Sequence, residues 1–106
     1  MKVKRPEKLS NVLAIAQACI DNGNYKPTFH AECRKYQRDI TRFDALHVIR
    51  TGYRDLKYDQ FKEEFSSWNY AIQGTSLQSD KIRVVISFDD NLMLIITVIN
   101  FSLDKR

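Results

Sequence analysis

Two apolar runs near the end of the chain, separated by three polar residues, constrain the fold more than any other feature. In the first run, large apolar residues occupy every second position, at Ile82, Val84, Ile86 and Phe88. Residues 89–91 read as a tight turn, and residues 92–101 are apolar on both faces. A period of two is typical of a half-buried strand, and two-sided apolarity suits a central one. The sequence therefore predicts a hairpin at the centre of an antiparallel sheet.

Helical periodicity occurs in the first half of the chain, where it predicts three helices. The first covers residues 9–21 and ends near Gly23, which accepts a left-handed backbone without steric cost. Its apolar stripe is formed by Leu9, Val12, Leu13, Ala16 and Ile20. The second covers residues 29–37, and the third covers residues 42–51 and ends at Gly52. Each of these two follows a threonine that can cap it.

The order of elements, helices first and strands afterwards, predicts an α+β fold. Residues 68–73 alternate as a half-buried strand, whereas the segment just after Gly52 has no clear period. We therefore expect N-terminal helices packed on a C-terminal antiparallel sheet of about four strands. The whole chain reads as one domain, with residues 1–8 flexible, a helical part over 9–52 and a sheet part over 53–101.

Composition indicates which ligands the protein can attract and in which cellular compartment it is expected. The 106 residues include 17 Lys and Arg against 13 Asp and Glu, a net charge of +4, which favours polyanions such as RNA, DNA or anionic membranes. The longest apolar stretch, residues 92–99, is too short to span a bilayer, and the N-terminus lacks a secretory signal. We therefore expect a cytoplasmic protein with no membrane partner.

The two cysteines, Cys19 and Cys33, lie among apolar neighbours in predicted helices. Their small number and the lack of a Cys-x-x-Cys or Cys/His cluster predict buried reduced thiols rather than a disulfide scaffold or a metal site.

A basic face on the second predicted helix is the densest candidate for chemistry. His30, Arg34 and Arg38 are spaced four residues apart, which places them on one helical face. Two guanidinium groups can stabilise the added charge of a pentavalent phosphate, and an imidazole can move a proton. The spacing therefore suits a phosphodiester. In the alternative reading the face is merely solvated, and His30 caps a turn or bonds a carboxylate.

A second candidate lies on the strands. Arg83 alternates with the core-facing positions of its strand, so we expect it on the other face of the sheet. Trp68 and Tyr70 lie on the preceding strand, and if that face is open it carries aromatic and cationic groups together, as single-stranded RNA platforms do. The alternative is that both aromatic residues pack in the core. His47, between Leu46 and Val48, is interpreted as packed or solvated.

Motifs spread over residues 25–101 resemble one family, domain of unknown function 4258. Residues 28–52 read T-F-H-A-x-x-R-x-x-x-R-x-I-T-x-x-D-x-x-x-V-I-x-x-G. Further on follow Y-x-x-x-G at 70–74, I-R-V-V-I at 82–86 and I-I-T-V at 95–98. One departure is Asp39, where the family typically carries a glycine.

The resemblance implies both a fold and an activity. That family is similar to the RelE/ParE/BrnT toxin superfamily, and MqsR-like toxins carry a comparable leading helix. The implied function is an mRNA endoribonuclease toxin of a type II toxin–antitoxin pair, with an antitoxin protein as partner. It would act without metal or cofactor, with the RNA 2′-OH as nucleophile. The implied catalytic residues are His30 as general base or acid, Arg34, Arg38 and Arg83 on phosphate, and Tyr70 positioning a base or the ribose.

Other functions are compatible with the same sequence. The two-sided apolarity of residues 92–101 suits a non-catalytic module that binds a protein partner. A plain RNA-binding domain without cleavage also fits the charge, and ParE-like relatives act on gyrase instead of RNA.

Overall fold

The computed structural model describes residues 6–28, 42–90 and 92–100. Two α-helices and six β-strands lie within them, and a 3-10 helix at Leu56–Tyr58 connects β2 to β3. The elements are α1 (Val12–Asp21), β1 (Tyr25–Pro27), α2 (Arg42–Thr51), β2 (Tyr53–Arg54), β3 (Gln60–Lys62), β4 (Ser67–Thr75), β5 (Lys81–Asp89) and β6 (Leu92–Asn100). The helix predicted over residues 29–37, with Cys33, lies outside the described residues.

The predicted hairpin is confirmed and forms the middle of the sheet. The strand order is β1-β6-β5-β4-β2, and β3 pairs with another part of β4. Strands β5 and β6 are antiparallel, with Val84 opposite Val98, and Asp90 takes a left-handed conformation in the turn (φ 56°). A bulge then changes the register, so that Ile86 lies opposite Ile95. The extra residue is Ile96, which lies between these two pairings.

The predicted sheet of about four antiparallel strands needs correction, because the sheet is mixed and has six strands in the described part of the chain. Strand β1 runs parallel to β6, with Tyr25 opposite Met93. The backbone N–H of Met93 donates to the Asn24 carbonyl oxygen, and that of Thr28 donates to the Ile95 carbonyl oxygen. Since β1 is three residues long, it is too short to show a period in the sequence, and its pairing depends on a long-range contact.

Both described helices pack on one face of the sheet, which carries the hydrophobic core. The core combines helix residues with Ile72, Val84, Ile86 and Ile95 of the sheet. The helix contribution comes from Val12, Ala16, Cys19, Ala45, Val48 and Ile49. Cys19 is buried as predicted, and burial raises the pKa of its thiol despite a hydrogen bond with the Met93 backbone.

The helix boundaries follow most of the sequence signals. Helix α2 has the predicted bounds, and Gly23 follows α1 with a left-handed backbone (φ 72°). Helix α1 begins at Val12, three residues later than predicted. The segment before α1 is attached to β4, where the Tyr70 hydroxyl accepts the Leu9 N–H at 3.1 Å.

Candidate nucleic-acid interface

A groove of about 810 Å³ lies on the face of the sheet opposite α1 and α2. Side chains alternate along the strands, so the positions that do not face the core point into this groove. We call it the sheet groove. It is lined by Thr28, by parts of β3 and the turn after it, and by the outward side chains of β4, β5 and β6.

The sheet groove is lined by both apolar and polar side chains. Four aliphatic side chains form the floor, from Val85, Leu94, Ile96 and Ile99. The bulge in β6 contributes to this surface, because Ile96 and its neighbour Thr97 both line the groove despite being consecutive. Polar side chains also line the groove, from Thr28, Ser67, Asn69, Ser87 and Thr97. The Thr28 and Ser87 hydroxyls donate to the carbonyl oxygens of Ile96 and Trp68.

Charges are distributed unevenly along the groove. Arg83 lies near the beginning of β5 and Asp89 at its end, a separation of about 20 Å along a strand. Lys62 and Glu64 contribute one charge of each sign from β3 and the turn that follows it. An anionic ligand is therefore expected at the Arg83 end of the groove and away from Asp89.

Arg83 is held in a defined orientation across β4. Its guanidinium carbon lies 3.4 Å from the centre of the Tyr58 ring, and its Nε donates to Gln73 Oε1 at 3.2 Å. Gln73 is the residue directly opposite Arg83 in the β4–β5 register. The stacking on Tyr58 and the hydrogen bond to Gln73 fix the plane of the cation, which favours directional contacts with phosphate or carboxylate oxygens.

Tyr70 lies on the opposite face of the sheet from Arg83. Its side chain is only 3% exposed and belongs to the core, and its hydroxyl accepts the Leu9 N–H. Trp68 also packs against the core, and its Nε1 donates to the Pro6 carbonyl oxygen at 2.8 Å. The core placement of the two aromatic residues is therefore confirmed, and the structure does not bring Tyr70 together with Arg83.

A buried charge cluster lies beside Tyr70 at the edge of the sheet. The Asp59 carboxylate has no exposed surface and forms two hydrogen bonds with the Arg54 guanidinium, at 2.6 and 2.9 Å. It also accepts the Ala71 N–H at 2.9 Å and lies 3.0 Å from Lys8 Nζ. Residues 6–9, most of which the sequence assigned to a flexible leader, are thus attached to the sheet through Trp68, Asp59 and Tyr70.

The electrostatics of this cluster favour the ionised form of Asp59. Burial alone would raise the pKa of this carboxyl group. The hydrogen bonds from Arg54, the Ala71 N–H and Lys8 more than offset that effect, so the pKa lies below its ordinary value.

Acid is therefore expected to weaken the fold through Asp59. Because its pKa is lower in the folded protein than in the unfolded chain (about 3.9), its contribution is complete above the unfolded value and is lost as the pH falls through the folded value. We expect the free energy of unfolding in urea to fall between about pH 5 and about pH 2, and to fall less in Asp59→Asn. Parallel pH profiles for the two proteins would contradict this assignment.

None of the remaining histidine and arginine residues considered in the sequence analysis is among the described residues that line the sheet groove. His30, Arg34 and Arg38 lie outside the described residues. His47 is half-buried on α2, and its carbonyl oxygen accepts the Thr51 hydroxyl. Within the described ranges, no group of three or more His, Cys, Asp or Glu side chains could hold a metal ion. Neither described helix is long and apolar enough to cross a membrane.

Two residues beside Arg83 were missed by sequence reasoning, Tyr58 and Gln73. The sequence groups Gln73 with Asn69 and Ala71 on one face of β4, and its pairing with Arg83 decides that this is the face away from the helices. Tyr58 carries no periodic signal, since it lies in the 3-10 helix between two short strands.

Comparison with protein families finds one family model that matches most of the chain. The sequence profile of the domain of unknown function DUF4258 matches residues 28–100. The chain belongs to the DUF4258 family. Comparison with curated proteins and with solved structures gives no match.

The structure shows what several DUF4258 motif positions do. The Asp44 carboxylate accepts the Leu77 N–H at 3.1 Å and so holds the β4–β5 turn. Gly52 and Gly74 approach each other between α2 and β4, and Tyr70 receives the Leu9 N–H. These positions maintain the fold, whereas Arg83 lies in the sheet groove.

Proposed function

We propose that this DUF4258 protein binds single-stranded RNA in the sheet groove and cleaves it without metal, as the toxin of a type II toxin–antitoxin pair. The observation that carries the proposal is the Arg83 guanidinium, stacked on Tyr58 and hydrogen-bonded to Gln73 at one end of the groove. A cation held beside an aromatic ring on a sheet is the combination by which proteins contact the phosphates and bases of single strands.

The groove and the overall charge support an anionic, flexible ligand. Its apolar floor can receive the faces of sugars or bases. The net charge of +4 favours association with a polyanion over the whole surface. An RNA strand with a phosphate at Arg83 would use both the apolar floor and the positive charge.

The cleavage step in this proposal belongs to His30, Arg34 and Arg38, on the strength of their spacing in the sequence. His30 as general base removes the proton of the ribose 2′-OH, whose oxygen attacks the adjacent phosphorus. The P–O5′ bond breaks, and the 5′ oxygen leaves with a proton supplied by a general acid. The products are a 2′,3′-cyclic phosphate and a 5′-hydroxyl. Arg34, Arg38 and Arg83 neutralise the charge on the phosphate oxygens.

A second candidate function, a non-catalytic module that binds a protein, is favoured by the apolar floor of the groove. Leu94, Ile96 and Ile99, all on β6, line the groove with aliphatic surface. Such a surface on an accessible sheet face can dock a partner segment. In the toxin proposal the antitoxin would be that partner.

The deciding experiment incubates purified protein with mRNA in EDTA and compares wild type with His30→Ala. We expect wild type alone to produce fragments ending in cyclic phosphate. RNA left equally intact by both proteins would contradict the enzymatic part of the proposal.

Binding is measured separately, with 2′-O-methyl RNA that lacks the nucleophile. We expect Arg83→Gln to weaken affinity about tenfold, whereas Arg50→Gln removes the same charge from α2 and should have little effect. Equal affinities for wild type and both variants would remove the sheet groove as the RNA site. Failure of wild type both to bind and to cleave would favour the protein-binding module.

A further inference from the structure

We propose that Tyr58 is a stacking site for one unpaired nucleobase, so that the sheet groove selects single-stranded RNA by its bases as well as by its phosphates. This inference rests on the proposed RNA binding and specifies the substrate class. It adds a residue of the 3-10 helix to a site otherwise built from the sheet.

The Tyr58 ring has one covered face and one accessible face. The Arg83 guanidinium carbon lies 3.4 Å from the ring centre and covers one face. The residue is nevertheless 42% exposed. Its accessible surface therefore lies on the other face and at the ring edge. A planar base has the shape and polarisability to occupy that face.

The ring is held in place before any ligand binds. The Tyr58 N–H donates to the Asp55 carbonyl oxygen, and the next residue, Asp59, is fixed by its buried carboxylate. On the groove side, Gln73 fixes the orientation of the Arg83 guanidinium beneath the ring. A pre-organised platform loses little conformational entropy when a base stacks on it.

The surrounding charges suit a nucleotide rather than an uncharged aromatic ligand. Lys57 Nζ lies 5.4 Å from the centre of the same ring, and Arg83 lies beneath it. A base stacked on Tyr58 would bring its flanking phosphates within reach of these two cations. In a duplex the base faces are covered by their neighbours, so this site favours an unpaired base.

The test measures binding of three 2′-O-methyl ligands: a single strand of about ten nucleotides, a matched strand with abasic positions, and a duplex. Wild type should bind the base-containing strand roughly tenfold more tightly than the abasic one. Tyr58→Ala should lose this preference and bind both strands as wild type binds the abasic strand. Tyr58→Phe retains the ring and should retain the preference. Urea unfolding followed by Trp68 fluorescence verifies that each variant is folded.

The outcomes separate this inference from the proposed function. If wild type binds none of the three ligands, the proposed RNA binding fails. If wild type binds RNA and Tyr58→Ala keeps the preference for bases, RNA binding stands and the stacking site is wrong. Equal loss of affinity for both strands in Tyr58→Ala would show that the ring only positions Arg83, which also overturns the stacking site.

Discussion

Gly52→Ala is expected to lower the free energy of unfolding by at least about 3 kcal/mol, a large part of the stability of a domain this small. A Cβ at Gly52 would clash with the carbonyl oxygen of Gln73 and would lie 2.6 Å from the carbonyl oxygen of Val48. Both are backbone atoms, and the Val48 oxygen belongs to α2 itself, so relief requires moving the end of α2 away from β4 and distorting its last turn. Urea unfolding followed by Trp68 fluorescence or circular dichroism measures the loss.

Gly23→Ala is the matched control for this substitution. A Cβ at Gly23 would meet no atom within 4 Å, but the residue has a φ of 72°. Its substitution therefore introduces backbone strain alone, with an expected cost of about 1–2 kcal/mol. Equal losses in the two variants would show that α2 adjusts freely and that the close approach of Gly52 and Gly74 is not limiting.

Asp59→Asn is expected to cost about 3 kcal/mol, because it leaves the largely buried Arg54 without its countercharge. The Arg54 side chain is 16% exposed and that of Asp59 is fully buried, so water cannot replace the lost interaction. Lys8 loses its anion in the same variant, which removes one of the three contacts that attach residues 6–9 to the sheet and should loosen them. Urea unfolding at neutral pH measures the first effect, and a change in Trp68 fluorescence of the folded protein reports the second.

Asp21→Asn is the matched control, because it removes an ion pair of the same chemistry and length. Asp21 lies 2.6 Å from Arg50, as Asp59 does from Arg54, but both side chains are largely exposed. We expect Asp21→Asn to change the free energy of unfolding by less than about 1 kcal/mol. A similar cost for the two substitutions would contradict the role of burial in the Asp59 cluster.

Elements with local signals could be predicted from the sequence. Helix α2 begins and ends where its periodicity does, and the hairpin β5–β6 follows directly from two apolar runs around a polar turn. The alternation of side chains along a strand is a property of covalent geometry, so Arg83 could be placed away from the core of β5 from its neighbours alone.

Tertiary structure alone decided which strands meet and which face each one presents to the core. The sequence could not show that β1 pairs with β6, because three residues carry no period and the partner is far along the chain. Nor could alternation on β4 alone place Tyr70, since it defines two faces without saying which one the helices cover. The register of β4 against β5 puts Tyr70 opposite the core residue Ile86 and Gln73 opposite Arg83.

The residues of the candidate site also fall into two groups, those that the sequence could predict and those that depend on tertiary contacts. Arg83 was identifiable from its strand, whereas Tyr58 and Asp59 are adjacent residues whose roles depend on what they contact. Asp59 is buried against Arg54, and Tyr58 stacks on Arg83, which lines the sheet groove. Both contacts join segments that meet only after the sheet has formed. The sequence therefore determined the local elements and the outward position of Arg83, while long-range packing decided which aromatic ring accompanies that arginine.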